Sequence, residues 1–178
     1  MAKIITKTNL APAVYEFVVD APLVAHKCHP GQFVIIRTDE YSERIPLTIA
    51  DFDREKGYIT LIVQAVGNTT KHLCDTFNEG DDILDVVGPL GHPSEMGKFG
   101  TVVVVGGGIG VAHACPVGFE LLEDNLGAAH DALGHAGYLC HMDTEGVLAA
   151  TGHELAQEDN LVADLLDAYI VVAYGGEL

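Results

Sequence analysis

Over roughly the first ninety residues, apolar positions alternate with polar ones or gather in short continuous patches, and each patch ends at a proline, a glycine or an acidic turn. Candidate strands fall at residues 3–8, 14–19, 32–38, 44–50, 58–65 and 82–87. Pro12, Pro22, Pro30-Gly31, Asp53 to Gly57 and Gly80-Asp81 lie between them, where a missing amide or a reversed chain costs least. No helical periodicity appears before the region of Thr69. Six short strands in about ninety residues predict a small closed β-barrel.

From Thr101 the rhythm changes to strand, glycine-rich turn and helix, which is the spacing of a parallel sheet with crossover helices. The expected strands there are residues 101–105, 136–140 and 169–173, and the expected helices are 116–125 and 153–167. PLGHPSEMGKFG, residues 89–100, has the proline and glycine content of a linker. The predicted organisation is a β-barrel domain over 1–97 followed by an α/β domain over 98–178.

Charge narrows the partners. A formal net charge of −17 repels a nucleic-acid backbone or an anionic membrane and suits basic protein partners. Neither a secretory leader in MAKIITKTNL nor a run of about twenty apolar residues is visible, so a soluble cytoplasmic protein is expected. Cysteines 28, 74, 115 and 140 form no Cys-x-x-Cys pair, and buried reduced thiols are expected rather than a metal site. His26-Lys27-Cys28-His29 reads as an exposed loop, His130 and His135 as surface residues, and Asp81, Asp82 and Asp85 as a solvated strand edge. Cys115 is read as buried.

The most specific local signal is VVVVGGGIGV, residues 102–111. A continuous valine run suits a strand buried on both faces, and a glycine turn opening a helix lets phosphate oxygens reach unpaired amides at the positive end of a helix dipole. The strict G-x-G-x-x-G pattern fails, since counting from Gly106 the sixth position is Val111, and no Gly-Lys-Ser/Thr follows.

Arg44-Ile45-Pro46-Leu47-Thr48-Ile49, then GDDILDVVGPLG (residues 80–91), then VVVVGGGIGVA occur in an order that resembles the ferredoxin–NAD(P) reductase flavoprotein family. Within it the chain is most similar to electron-transfer subunits, such as those of dihydroorotate dehydrogenase, sulfide dehydrogenase and NADH-dependent ferredoxin:NADP oxidoreductase. The likeness covers roughly residues 1–112. It implies a Greek-key barrel that carries FAD and a parallel-sheet domain that carries NAD(P)H. By the same resemblance Arg44 would pair with the FAD pyrophosphate. Ile45, Pro46, Leu47 and Thr48 would line the flavin. Ile62, Val63 and Gln64 would flank the ribityl and adenosine portions, and Gly67, Asn68, Thr69 and Thr70 would open a helix onto the second phosphate. Gly107, Gly108, Ile109 and Gly110 would hold the nicotinamide nucleotide's pyrophosphate.

Two departures modify this expectation. Many relatives place a tyrosine two residues after the arginine, where this chain has Pro46, and the Cys-rich segment that binds a [2Fe–2S] cluster is absent. YIVVAYGG, residues 169–176, resembles the family's late strand and its glycine turn. All nine Lys and Arg lie at or before Lys98. Two readings of that asymmetry stay open: a preference for NADH, since no cation is left to meet an adenosine 2′-phosphate, or a stretch after about His113 that departs from the natural chain. The expected function is an FAD-dependent electron-transfer subunit that exchanges a hydride with NAD(P)H and passes electrons to a larger redox subunit holding flavin or iron–sulfur clusters. The alternative is a non-catalytic flavin- or nucleotide-binding module.

Overall fold

The computed structural model describes residues 1–97, together with 102–106, 108–110, 112–114, 116–118, 120, 141–142, 148–149 and 170–174. The chain divides into two compact units, Met1–Ser94 and Glu95–Leu178.

The first unit is an antiparallel, barrel-like sheet. Its elements are β1 (Ala2–Ala11), β2 (Val14–Asp20), α1 (Pro22–Ala25), β3 (Phe33–Arg37), β4 (Ile45–Asp53), β5 (Tyr58–Gln64), α2 (Asn68–Thr76), β6 (Asp82–Ile83) and β7 (Asp85–Leu90). Seven strands lie in the order β6-β1-β2-β5-β4-β3-β7, a Greek-key arrangement in which β2 neighbours β5 and the β3–β4 hairpin folds back beside it. β6 and β7 are consecutive parts of one extended segment. β6 pairs with β1, and β7 pairs with β3, so this segment joins the two edges of the sheet. The change of partner is marked by hydrogen bonds from Ile4 N to Asp81 O (2.9 Å) and from Leu84 N to Thr38 O (3.2 Å). All six expected strands are present, the last of them split in two.

Period-two alternation dictates what fills the barrel. Phe17 and Val19 of β2, Val34 and Ile36 of β3, Ile49 of β4, and Ile59, Leu61 and Val63 of β5 are buried together with Ile4 and Ile83. The two helices extend this core with Val24 and Ala25 from α1 and Leu73 and Cys74 from α2. α1 starts on Pro22, whose fixed φ suits a first helical turn, and the chain then carries Cys28 fully inward, with its thiol 3.5 Å from Ala25 O. The loop expected around His26-Lys27-Cys28-His29 is therefore anchored through its cysteine. At the other helix, Lys7 Nζ donates to Cys74 O (2.5 Å) and Phe77 O (2.8 Å), placing a cation on the negative end of α2. Among the described residues no helix is long and apolar enough to cross a membrane.

In the second unit β8 (Val102–Gly106) leads into a 3₁₀ turn at Gly108–Gly110, and residues 112–114, 116–118 and 120 are helical. β11 (Ile170–Tyr174) pairs antiparallel with β8, and β9 (His141–Met142) pairs antiparallel with β10 (Leu148–Ala149). These two described pairings are antiparallel where a parallel sheet is expected, and the rest of the expected sheet lies outside the described residues. A run such as VVVV or IVVA marks a strand covered on both faces but carries no information on direction, which the intervening connection sets. The expected strand at 136–140 and helix at 153–167, as well as Gly107, Val111, Cys115, His130 and His135, lie outside the described residues.

Phe17 is a large, fully buried side chain of the barrel. Phe17→Ala is expected to lower stability by about 3–5 kcal/mol, measured as a fall in the urea midpoint.

Candidate functional site

A barrel strand needs only one apolar face, the one turned inward. The β3 segment Phe33-Val34-Ile35-Ile36 is apolar on both. Val34 and Ile36 fill the core, while Phe33 and Ile35 lie on the outer face and are only partly covered. Register extends this outer face to the neighbouring strands. Phe33 pairs with Thr48 and Ile35 with Pro46 on β4, and Ile35 pairs with Val87 on β7. The pairing of β4 with β5 starts at Ile49 opposite Leu61, both buried, and the residues that flank this pair, Thr48 and Ile62, are each partly exposed. Pro46 is exposed, and Val87 keeps 51% of its surface in solvent. The result is an apolar strip on the outside of the barrel, made chiefly by Ile35, Pro46, Ile62 and Val87. The Phe33 ring lies over Gly91, whose φ of +79° and lack of a side chain permit that approach, since a Cβ there would sit 2.9 Å from the ring.

Arg44 stands immediately before β4, next to this strip. Its side chain is 60% exposed, and its Nη2 is 3.6 Å from Asp85 Oδ2. That carboxylate is already held more closely by Arg37, through Nη2 at 2.6 Å and Nε at 2.9 Å. Asp85 thus faces two guanidinium groups and satisfies one, which leaves Arg44 loosely held and open to another anion. Asp85 had been expected on a solvated edge together with Asp81 and Asp82.

The start of α2 lies just beyond the end of β5. Gly67 is the N-cap, its amide donates to Thr70 Oγ1 (2.9 Å), and the same hydroxyl donates back to Gly67 O (3.1 Å). The Thr70 hydroxyl is thereby committed to the helix start, and Thr69 is buried. The amides of Asn68, Thr69 and Thr70 have no acceptor within the helix and carry the positive end of its dipole. Exposed Gly67 leaves the approach to them free of a side chain.

The expected site residues therefore separate by face. Arg44 is exposed, Pro46, Thr48, Ile62 and Gln64 lie on the outer side, and Gly67 with Asn68 opens α2. Ile45 and Leu47 pack against the core, and Val63 is inside it. Phe33, Ile35 and Val87 were not anticipated. The signal available for the first two was the unbroken apolar run in β3. In the second unit Ile109 and Gly110 are exposed at the turn after β8.

The outer face ends in two carboxylates. Glu16 pairs with Ile62 across β2 and β5, and Asp51 pairs with Thr60 across β4 and β5. Desolvation raises the Glu16 pKa, helped by the charge of Asp51, and desolvation likewise raises that of Asp51. Behind the helix, burial pushes the Cys74 thiol up to about 11. Among the described residues no group of three or more His, Cys, Asp or Glu could hold a metal.

No protein-family model matches the chain. Over 121 residues it is 47% identical to a dihydroorotate dehydrogenase B (NAD(+)) electron transfer subunit homolog of Thermotoga maritima, a match covering 68% of this chain and 43% of that protein. It is 41% identical over 127 residues to the dihydroorotate dehydrogenase B (NAD(+)) electron transfer subunit of Shouchella clausii, covering 68% of this chain and 48% of the relative. Among solved structures, a chain of the NADH-dependent reduced ferredoxin–NADP oxidoreductase superposes with a TM-score of 0.68 at 46% identity, over 70% of this chain and 45% of that one. The chain spans less than half the length of these relatives.

Two outcomes are expected from the ionisable groups. Raised carboxyl pKa values mean that the folded state binds these protons more tightly than the unfolded chain, so stability is withdrawn as pH rises through the raised values. Glu16→Gln should raise the urea midpoint at neutral pH and lose that advantage below about pH 4. The buried Cys74 thiol stays protonated, and in native protein at pH 8 it should react with a disulfide reagent far more slowly than after unfolding in guanidinium.

Proposed function

The chain belongs to the ferredoxin reductase-like FAD-binding family, and from that membership we propose that it is an FAD-containing electron-transfer subunit that exchanges a hydride with NAD(P)H and delivers electrons to a partner redox protein. The observation that carries the reading is the pairing of an exposed, loosely held Arg44 with an apolar strip on the outside of a filled barrel. A barrel with a complete core gains nothing from a second apolar face unless a ligand covers it.

The residues present fit the cofactor. Ile35, Pro46 and Ile62 offer a flat apolar surface to a ring system, with the Thr48 hydroxyl beside them for a polar ring edge. Arg44 offers a planar cation to the pyrophosphate, and the first amides of α2 offer a second anion-binding group. Pro46, where many relatives have a tyrosine, supplies contact without aromatic stacking. When bound, the flavin would supply the step between two-electron and one-electron transfer. The chain's own residues would bind and orient it, Arg44 and the first amides of α2 at its phosphates and the apolar strip against its ring system, where the strip would exclude water.

In the second unit we assign the nicotinamide nucleotide to Gly107, Gly108, Ile109 and Gly110, a reading supported by the glycine turn at Gly108–Gly110 that follows β8. The names of the relatives, as electron transfer subunits, support a partner subunit as the acceptor, and we propose that this partner is a larger redox subunit carrying its own flavin or iron–sulfur clusters.

Purified protein reconstituted with FAD should be yellow and should bleach with NADH under anaerobic conditions. Yellow protein that NADH leaves unchanged would reduce the role to a flavin-binding module, and failure to retain any flavin would overturn the reading. Arg44→Ala removes charge-assisted bonds of about 1.5–3 kcal/mol, so its FAD dissociation constant should rise by roughly ten- to a hundredfold in a fluorescence titration.

A further inference from the structure

The loop that delivers Arg44 is fastened to the helix that delivers the anion-binding amides. Within the loop, the Tyr41 amide donates to Asp39 Oδ1 (2.8 Å), and the Thr38 and Ser42 hydroxyls are 2.5 Å apart. The other carboxylate oxygen of Asp39 leaves the loop and meets His72 Nε2 on α2 at 3.0 Å. His72 is itself set in place, with its Nδ1 3.3 Å from Thr76 Oγ1 and its ring edge-on to Phe77 at 5.6 Å. Asp39 precedes Arg44 by five residues, and His72 follows Gly67 by five, about 7 Å along the helix axis.

We infer that Asp39 and His72 are a positioning pair that fixes the distance between Arg44 and the start of α2, and so sets the protein's affinity for a pyrophosphate-bridged ligand. The inference rests on the reading above, in which both elements grip the FAD pyrophosphate. With side-chain exposures of 36% and 44%, the two groups form a surface hydrogen-bonded pair, a kind that contributes little to stability. What the pair restrains is the loop. Without it, among the described residues the loop from Thr38 to Arg44 keeps its internal bonds, its two strands, the Leu84 amide on Thr38 O at its first residue and the distant contact of Arg44 with Asp85, none of which reaches α2. A ligand that bridges Arg44 and α2 would then have to supply the ordering that His72 now provides. Neither residue touches the ligand in this scheme; each acts through Arg44.

The test is a set of titrations of the flavin-free full chain with FAD and with riboflavin, which lacks both phosphates. His72→Ala should raise the FAD dissociation constant on the order of tenfold and leave that of riboflavin unchanged. His72→Gln, whose amide can still donate to Asp39, should restore FAD binding. Combined with Arg44→Ala, His72→Ala should add almost nothing, because the pair works through the arginine. His72→Leu, which keeps an apolar contact with Phe77 but has no group to bond Asp39, should reproduce His72→Ala and carries the test if the alanine variant does not fold, as judged by circular dichroism. FAD affinity unchanged in the folded variants, equal losses for FAD and riboflavin, or losses that add fully to those of Arg44→Ala would each overturn the inference. Failure of the unsubstituted chain to bind FAD would instead overturn the function proposed above.

Discussion

The first unit depends on one segment, residues 82–90, changing partner at Leu84. By pairing first with β1 and then with β3, it turns an open sheet with two unpaired edges into a closed layer with an inside and an outside. Closure gives every inward residue a definite neighbour, which is why Phe17, Leu61 and Ile83 share one core although they are far apart in sequence. It also gives the outside a meaning. Once the inner face is filled, an apolar outer face stands out as a surface in need of a cover.

The same segment contributes to the site. Beyond Leu84 it brings Asp85 between Arg37 and Arg44, and further along it brings Val87 beside Ile35. The asymmetry of the two arginine contacts matters most. A carboxylate that bound Arg44 as tightly as it binds Arg37 would compete with any incoming phosphate, whereas the observed arrangement holds the guanidinium nearby at little cost to its availability. Lys7 and His72 do a related task for α2, tying its C-terminal end to β1 and its middle to the β3–β4 loop. The helix start is thus held by contacts made elsewhere along the helix.

Much of this was legible in the residues alone. The six barrel strands follow from period-two patterning and from where proline and glycine fall, because those signals are local and strong. Arg44, Pro46, Thr48, Gly67 and the glycine turn after β8 could be singled out because short motifs in a fixed order carry their own chemistry. The division of roles within those motifs was less legible. Ile45, Leu47 and Val63 were grouped with the ligand-facing residues, yet they pack on or within the core, since alternation shows that neighbours face opposite ways without showing which way is out.

The chain's sequence by itself determined a β-rich first half, its strand positions, its strong negative charge and a family likeness resting on ordered motifs. Tertiary structure decided the rest: which face of each strand meets solvent, that Asp85 sits between two arginines, that Asp39 reaches His72 across 33 positions, and that β11 runs antiparallel to β8. The physical reason is range. Propensity, turn chemistry and period act over a few residues, whereas pairing direction, barrel closure and ion-pair geometry depend on contacts between segments that only the folded chain brings together.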